Sequence, residues 1–170
     1  QFQRQLMATF QAELEEHLGT LNKGLLALEE GVPPEERESL LADLFRAAHS
    51  IKGAARAVNI EDIATIAHKL EDVLGAIRRG ELSPTPELFD VLFSAVDVLS
   101  EAMAAHLRGE SLPAEQRERT LEGLEAATWG KETPRREEVE PQREGERKSR
   151  GEGEKRKEGE GERPGRGEVT

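Results

Sequence analysis

The chain has 170 residues, 35% of them charged, and a formal net charge of −11. Residues 131–170 hold 12 Lys/Arg and 12 Asp/Glu, so the whole acidic excess falls on residues 1–130, which argues against a nucleic-acid-binding surface built from clustered positive charge. The absence of cysteine excludes a disulfide framework, thiolate chemistry and a Cys-type zinc site, and no apolar run approaches the roughly 20 residues needed to span a bilayer.

Met7, Phe10, Leu14, Leu18, Leu21, Leu25 and Leu28 recur at steps of three and four, the stripe of an amphipathic helix. Gly31 and Pro33-Pro34 end it. A second helix is predicted from Pro34-Glu35-Glu36, whose acids suit the positive end of the helix dipole, to about Val58. Its core stripe is Leu40, Leu44, Ala48, Ile51, Ala55 and Val58. Asn59 reads as the N-cap of a third helix, with Asp62 as a weak capping-box partner. That helix turns Ile63, Ile66, Leu70, Val73 and Ile77 inward and stops at Gly80. Thr85 followed by Pro86 is a cap with proline at the first helical position. It opens a fourth helix with Leu88, Leu92, Ala95, Leu99 and Ala102 inward. Gly109 and Pro113 set off a short fifth helix around Leu121 and Leu124, with Trp129 close behind.

Short connections between long amphipathic helices predict an all-α domain over 1–130, an up-down antiparallel bundle with a four-helix core plus a fifth C-terminal helix. Residues 131–170 hold only Val139 and Val169 as aliphatic side chains among repeating Gly, Glu, Arg and Lys. Such a composition cannot bury enough apolar surface to offset its ordering entropy and reads as a disordered mixed-charge linker. A linker of that length implies a further segment beyond it, and a chain that opens on Gln1 is expected to be a piece of a longer protein. No signal peptide is visible, and a cytoplasmic location with no membrane insertion is the default expectation.

One histidine lies off the core. On a wheel of about 100° per residue with Phe45 at zero, the apolar stripe of the second helix falls between roughly 220° and 300°, while His49 falls near 40°. Its helical neighbours are Phe45, Lys52, Gly53 and Arg56. Glycine inside a helix costs about 1 kcal/mol against alanine, and is accepted most readily where something bulky must approach the backbone. On the third helix, His68, Glu71 and Gly75 form a polar, partly small-residue stripe beside the core, on the edge that an antiparallel neighbour brings close. A carboxylate there can accept a hydrogen bond from one imidazole nitrogen of His49, fix the tautomer and leave the other nitrogen free as a nucleophile. Lys52, one turn on, is suited to neutralise charge on an incoming phosphoryl group. Taken singly, each has a plainer explanation: an exposed His is most often a surface residue, Lys52 and Arg56 are ordinary solvated charges, and His68 with Glu71 is an ordinary helix-surface pair. His17 and His106 border apolar stripes and carry no assigned role.

Ala48-His49-Ser50-Ile51-Lys52-Gly53 resembles the His-x-x-Lys-Gly signature of histidine phosphotransfer domains. His68-Lys69-Leu70-Glu71-Asp72 resembles the second characteristic stretch of the phosphotransfer domain in CheA-type chemotaxis kinases. The likeness runs through nearly all of 1–130. It implies that His49 is the phosphoacceptor, phosphorylated from ATP by a histidine kinase catalytic domain and discharged to an aspartate of a CheY-like response-regulator receiver domain. It further implies that Glu71 orients the ring, that Lys52 and His68 assist in the surrounding polar network, and that Gly53 gives partners room, with Arg56 in support. No cofactor is expected in this domain, since ATP and magnesium belong to the partner kinase domain. No Asp-x-Gly-x-Gly box of an ATP-binding domain appears in the sequence. Three rival readings remain: a stand-alone phosphorelay shuttle, a scaffolding bundle that is never phosphorylated, and a metal-binding bundle. The last lacks the paired Glu-x-x-His motifs of di-iron bundles.

Overall fold

The computed structural model describes residues 1–129; the linker expected over 131–170 lies outside the described residues. Five helices follow one another: α1 Phe2–Glu30, α2 Pro34–Ala57, α3 Glu61–Arg78, α4 Pro86–Leu107 and α5 Ala114–Thr128. No strand occurs among the described residues. The first four form a closed ring in which α1 packs on α2 and α4, and α3 packs on α2 and α4. The fifth lies in the groove between α3 and α4.

The connections dictate this order. The links before α2 and before α3 span only residues 31–33 and 58–60, too short for anything but an antiparallel return. Paired residues across α2 and α3 show it: Glu38 meets Arg78 at 2.8 Å while His49 meets Glu71 at 2.9 Å, so one helix descends as the other climbs. The fifth helix runs with α3, as Asp62–Arg117 and Lys69–Glu125 show, at 3.0 Å and 3.1 Å. It therefore opposes α4, where Gln116 bonds Glu101.

The apolar stripes meet in one core. Leu14, Leu21, Leu25, Leu44, Ile51, Ile63, Ile66, Leu70, Leu74, Leu92, Leu99 and Leu124 are its largest fully buried side chains, each contributing about 1.5–3 kcal/mol by leaving water. No polar or charged residue is buried among the described residues. The buried face of α2 is wider than its predicted stripe, taking in Leu41, Ala42 and Ala47, while Leu40 and Val58 are only half-buried. The cause is that α2 is sandwiched between α1 and α3, so it must bury two flanks rather than one. No helix among the described residues is long and apolar enough to cross a membrane.

Thr85 caps α4 as expected, its hydroxyl accepting from Leu88 N–H at 3.2 Å. Asn59 does not cap α3, which corrects the expectation drawn from the sequence. It closes α2 instead, with a positive φ of 58°. Its N–H bonds the Arg56 carbonyl and the Ile60 N–H bonds the Ala55 carbonyl, the paired bonds of a Schellman ending. Asn is a common N-cap, but it is also the non-glycine residue that best tolerates the left-handed region. The three-residue link leaves room only for the second role. Asp62 is thereby freed to bind Arg117 of α5.

Candidate functional site

His49 sits two-thirds of the way along α2, on the flank where α2 meets α3. That flank is the shallow edge of the core, which is why the side chain is 62% exposed although its neighbour Ala48 is buried. The antiparallel register places Glu71 of α3 directly opposite. His49 Nδ1 lies 2.9 Å from Glu71 Oε2. Lys52, one turn further along α2, reaches across to the same carboxylate, with Nζ 3.0 Å from Oε1 and 2.8 Å from Oε2. Both Lys52 and Glu71 keep only 13% of their side-chain surface exposed.

Burial pushes the Glu71 carboxyl up, but hydrogen bonds from Lys52 and His49, with their charges, outweigh it and hold the group below its ordinary value. Glu71 is therefore an acceptor-only carboxylate, and the proton of the bond belongs to Nδ1. When the ring is neutral, this bond favours the Nδ1–H tautomer. In that tautomer Nε2 carries the lone pair, on an exposed ring, with no partner among the described residues. A carboxylate, an imidazole proton and a free basic nitrogen in sequence make an oriented nucleophile.

Other residues fall differently. Lys52 turns its ammonium to the Glu71 carboxylate. His68 is not joined to His49, Lys52 or Glu71; its nearest charged partner is Asp72, one turn on, at 3.9 Å. Gly53 is exposed, and a Cβ there would meet nothing within 4 Å, so the protein's own packing does not require glycine. Arg56 is exposed, and its side chain makes no hydrogen bond or ion pair with a described residue. No group of three or more His, Asp or Glu side chains that could hold a metal occurs among the described residues.

Sequence reasoning named no role for Phe45. Its ring stacks on that of His49, centroids 6.3 Å apart and planes 15° from parallel. The spacing of four residues on one helix is the signal the sequence offers.

Residues 5–127 match the family model for the Hpt domain. The chain belongs to this family, the histidine phosphotransfer domains. It is similar to the chemotaxis protein CheA of Bacillus subtilis, 39% identical over 105 residues, which cover 62% of this chain and 15% of that protein. It is similar also to CheA of Rhizobium meliloti, 34% identical over 121 residues, 71% of this chain and 16% of that protein. The chain thus spans about one-sixth of the length of these relatives. Among solved structures, the phosphorylated P1 domain of CheA3 in complex with CheY6 from R. sphaeroides shares the fold. Its TM-score is 0.63 at 23% identity, over 72% of this chain and 94% of that one.

Proposed function

We propose that this chain is the phosphoryl-carrying domain of a chemotaxis-type histidine kinase and that His49 is its phosphoacceptor. The observation that carries the reading is the 2.9 Å bond from His49 Nδ1 to a carboxylate held ionised by Lys52, on an otherwise exposed ring.

The Nε2 lone pair attacks the γ-phosphorus of ATP held by a partner kinase domain, which also supplies the magnesium. The Nε2–P bond forms as the bond from phosphorus to the leaving ADP oxygen breaks. The ring gains positive charge while its Nδ1 proton stays in place, and the Glu71 carboxylate beneath offsets that charge as it develops. In the second transfer an aspartate oxygen of a receiver domain takes the phosphoryl group, and the bonding pair returns to Nε2. The R. sphaeroides P1 domain was solved phosphorylated and bound to CheY6, which supports a CheY-like receiver as the partner here. Exposure of His49, with open space at Gly53 one turn along, suits access by two successive partners. Action in the cytoplasm, where ATP is available, belongs to the same proposal.

The test is phosphorylation of the full chain in trans by the ATP-binding catalytic core of a chemotaxis kinase with Mg-ATP, beside His49→Gln. The expected result is an acid-labile phosphoryl group mapped to His49 and absent from a folded His49→Gln. No label, from a kinase active on its own phosphotransfer domain, returns the chain to the scaffolding reading.

A further inference from the structure

The register that sets His49 opposite Glu71 also sets Phe45, one turn back on α2, opposite Gly75, one turn forward on α3. Gly75 is buried, yet it lies one turn along the same helix face as Glu71. A Cβ built on it would stand 3.2 Å from Phe45 Cε2 and 3.6 Å from Phe45 Cδ2, and 3.0 Å from the end of the Arg79 guanidinium. The Arg79 tip can swing away at little cost. The Phe45 ring, half-buried and stacked on the His49 ring, would have to shift by a few tenths of an ångström, and with it the face it offers to His49. The missing Cβ is therefore the seat of Phe45.

We propose that Phe45, seated on Gly75, is a positioning residue for His49. This rests on the reading of His49 as phosphoacceptor. A single hydrogen bond from Nδ1 to Glu71 fixes one point of the imidazole and leaves the ring free to pivot about that point. The near-parallel Phe45 ring supplies a second constraint, a plane against which the imidazole lies. Bond and plane together fix the direction of the Nε2 lone pair, and an in-line attack on phosphorus depends on that direction. Phe45 touches neither phosphorus nor the reacting nitrogen.

The experiment combines ring ¹⁵N NMR of His49 in the full chain with single-turnover labelling by a chemotaxis-kinase catalytic core and Mg-ATP. Phe45→Leu is expected to keep the fold, lower the share of the Nδ1–H tautomer and slow labelling by about 2- to 10-fold. Phe45→Tyr, which keeps the ring, is expected to restore both. Gly75→Ala replaces a helical glycine by the best helix former, so its unfolding midpoint should not fall. It should still slow labelling as Phe45→Leu does, and add nothing in the Phe45→Leu background. A Phe45→Leu protein with wild-type tautomer and rate overturns the proposal. A wild-type chain whose ring shows the Nδ1–H bias, lost in Phe45→Leu, but which takes no label supports the positioning role and overturns the phosphoacceptor reading instead.

Discussion

Lys52 Nζ lies 2.8 Å from the Glu71 oxygen that also accepts the His49 proton. The lysine and the histidine thus share one acceptor atom, and on the function proposed above Lys52 holds Glu71 ionised while Glu71 favours one tautomer of His49. Lys52→Met removes the anchor while keeping much of the buried stem. The carboxylate, mostly buried, then has a single partner. We expect a stability loss of about 1–2 kcal/mol and a labelling rate roughly fivefold lower, the equivalent of about 1 kcal/mol of lost orientation. If Lys52 instead acted on the phosphoryl group directly, Glu71→Ala would leave the effect of Lys52→Met intact. With Lys52 acting through Glu71, the double variant should be no slower than Glu71→Ala alone, which single-turnover rates decide.

Acidification should expose the same unit. The Glu71 carboxyl titrates below its ordinary value of 4.5, because the bonds and charges of Lys52 and His49 overcome the opposing effect of burial. A folded value below the unfolded one means that the contribution is complete above about 4.5 and is lost as pH falls through the folded value. Glu71→Gln cannot titrate there. The difference in urea-unfolding free energy between wild type and Glu71→Gln should therefore narrow from about pH 6 to about pH 3. A difference that stays constant over that range would falsify the ionised, paired state of Glu71.

Elsewhere the bundle depends on a close helix approach. A Cβ on Gly24 of α1 would stand 2.5 Å from Leu44 Cδ2 and 3.1 Å from Leu44 Cγ, and Leu44 is fully buried. Gly24→Ala gains about 1 kcal/mol of helix propensity but forces α1 and α2 apart at about 1–3 kcal/mol, so net destabilisation is expected. Leu44→Ala should cost about 2–5 kcal/mol. Combined, the two should cost less than the total of the separate losses, because Leu44→Ala vacates the space that the methyl added by Gly24→Ala needs. Denaturant melts of the four proteins give the coupling, and strict additivity would mean that the two residues do not touch.

Much of this architecture is legible in the sequence. The stripes at three- and four-residue steps locate the first four helices, because burial leaves that period in the chain, whereas the fifth, with Leu124 alone buried, is marked by Gly109 and Pro113 before it. The Thr85-Pro86 pair marks a start that the threonine hydroxyl does cap. His49 stands out because a polar ring has no place on its helix's apolar arc. What the sequence hides belongs to the register between helices, which no single wheel contains. His68 and Glu71 lie three residues apart on the same polar stripe, yet only Glu71 meets α2. Lys52 reads as free to face a phosphoryl group, because nothing in the order of residues shows that its long stem bends back to Glu71. Phe45 and Gly75 lie on different helices, 30 positions apart in the chain, and only the alignment of α2 with α3 makes them a pair.

Asn59 offers a sharper test, because its two possible roles predict opposite substitution patterns. An N-cap works through a side-chain oxygen that accepts a backbone N–H, so Ser or Asp would replace it well and Gly somewhat less well. The structure shows no side-chain cap at the start of α3 and a φ of 58° at Asn59 itself. At such a φ the cost falls on the Cβ, and glycine has none. Asn59→Gly should therefore be neutral or slightly stabilising, whereas Asn59→Ala and Asn59→Ser should each lose about 1 kcal/mol from strain in the left-handed region. The link it closes carries α2 into α3, so distortion there should also move Glu71 relative to His49. Asn59→Ala is accordingly expected to slow His49 labelling while Asn59→Gly leaves it unchanged. Thermal melts and labelling of the three variants check both halves, and an Asn59→Ser protein as stable as the wild type would return Asn59 to the role of an N-cap.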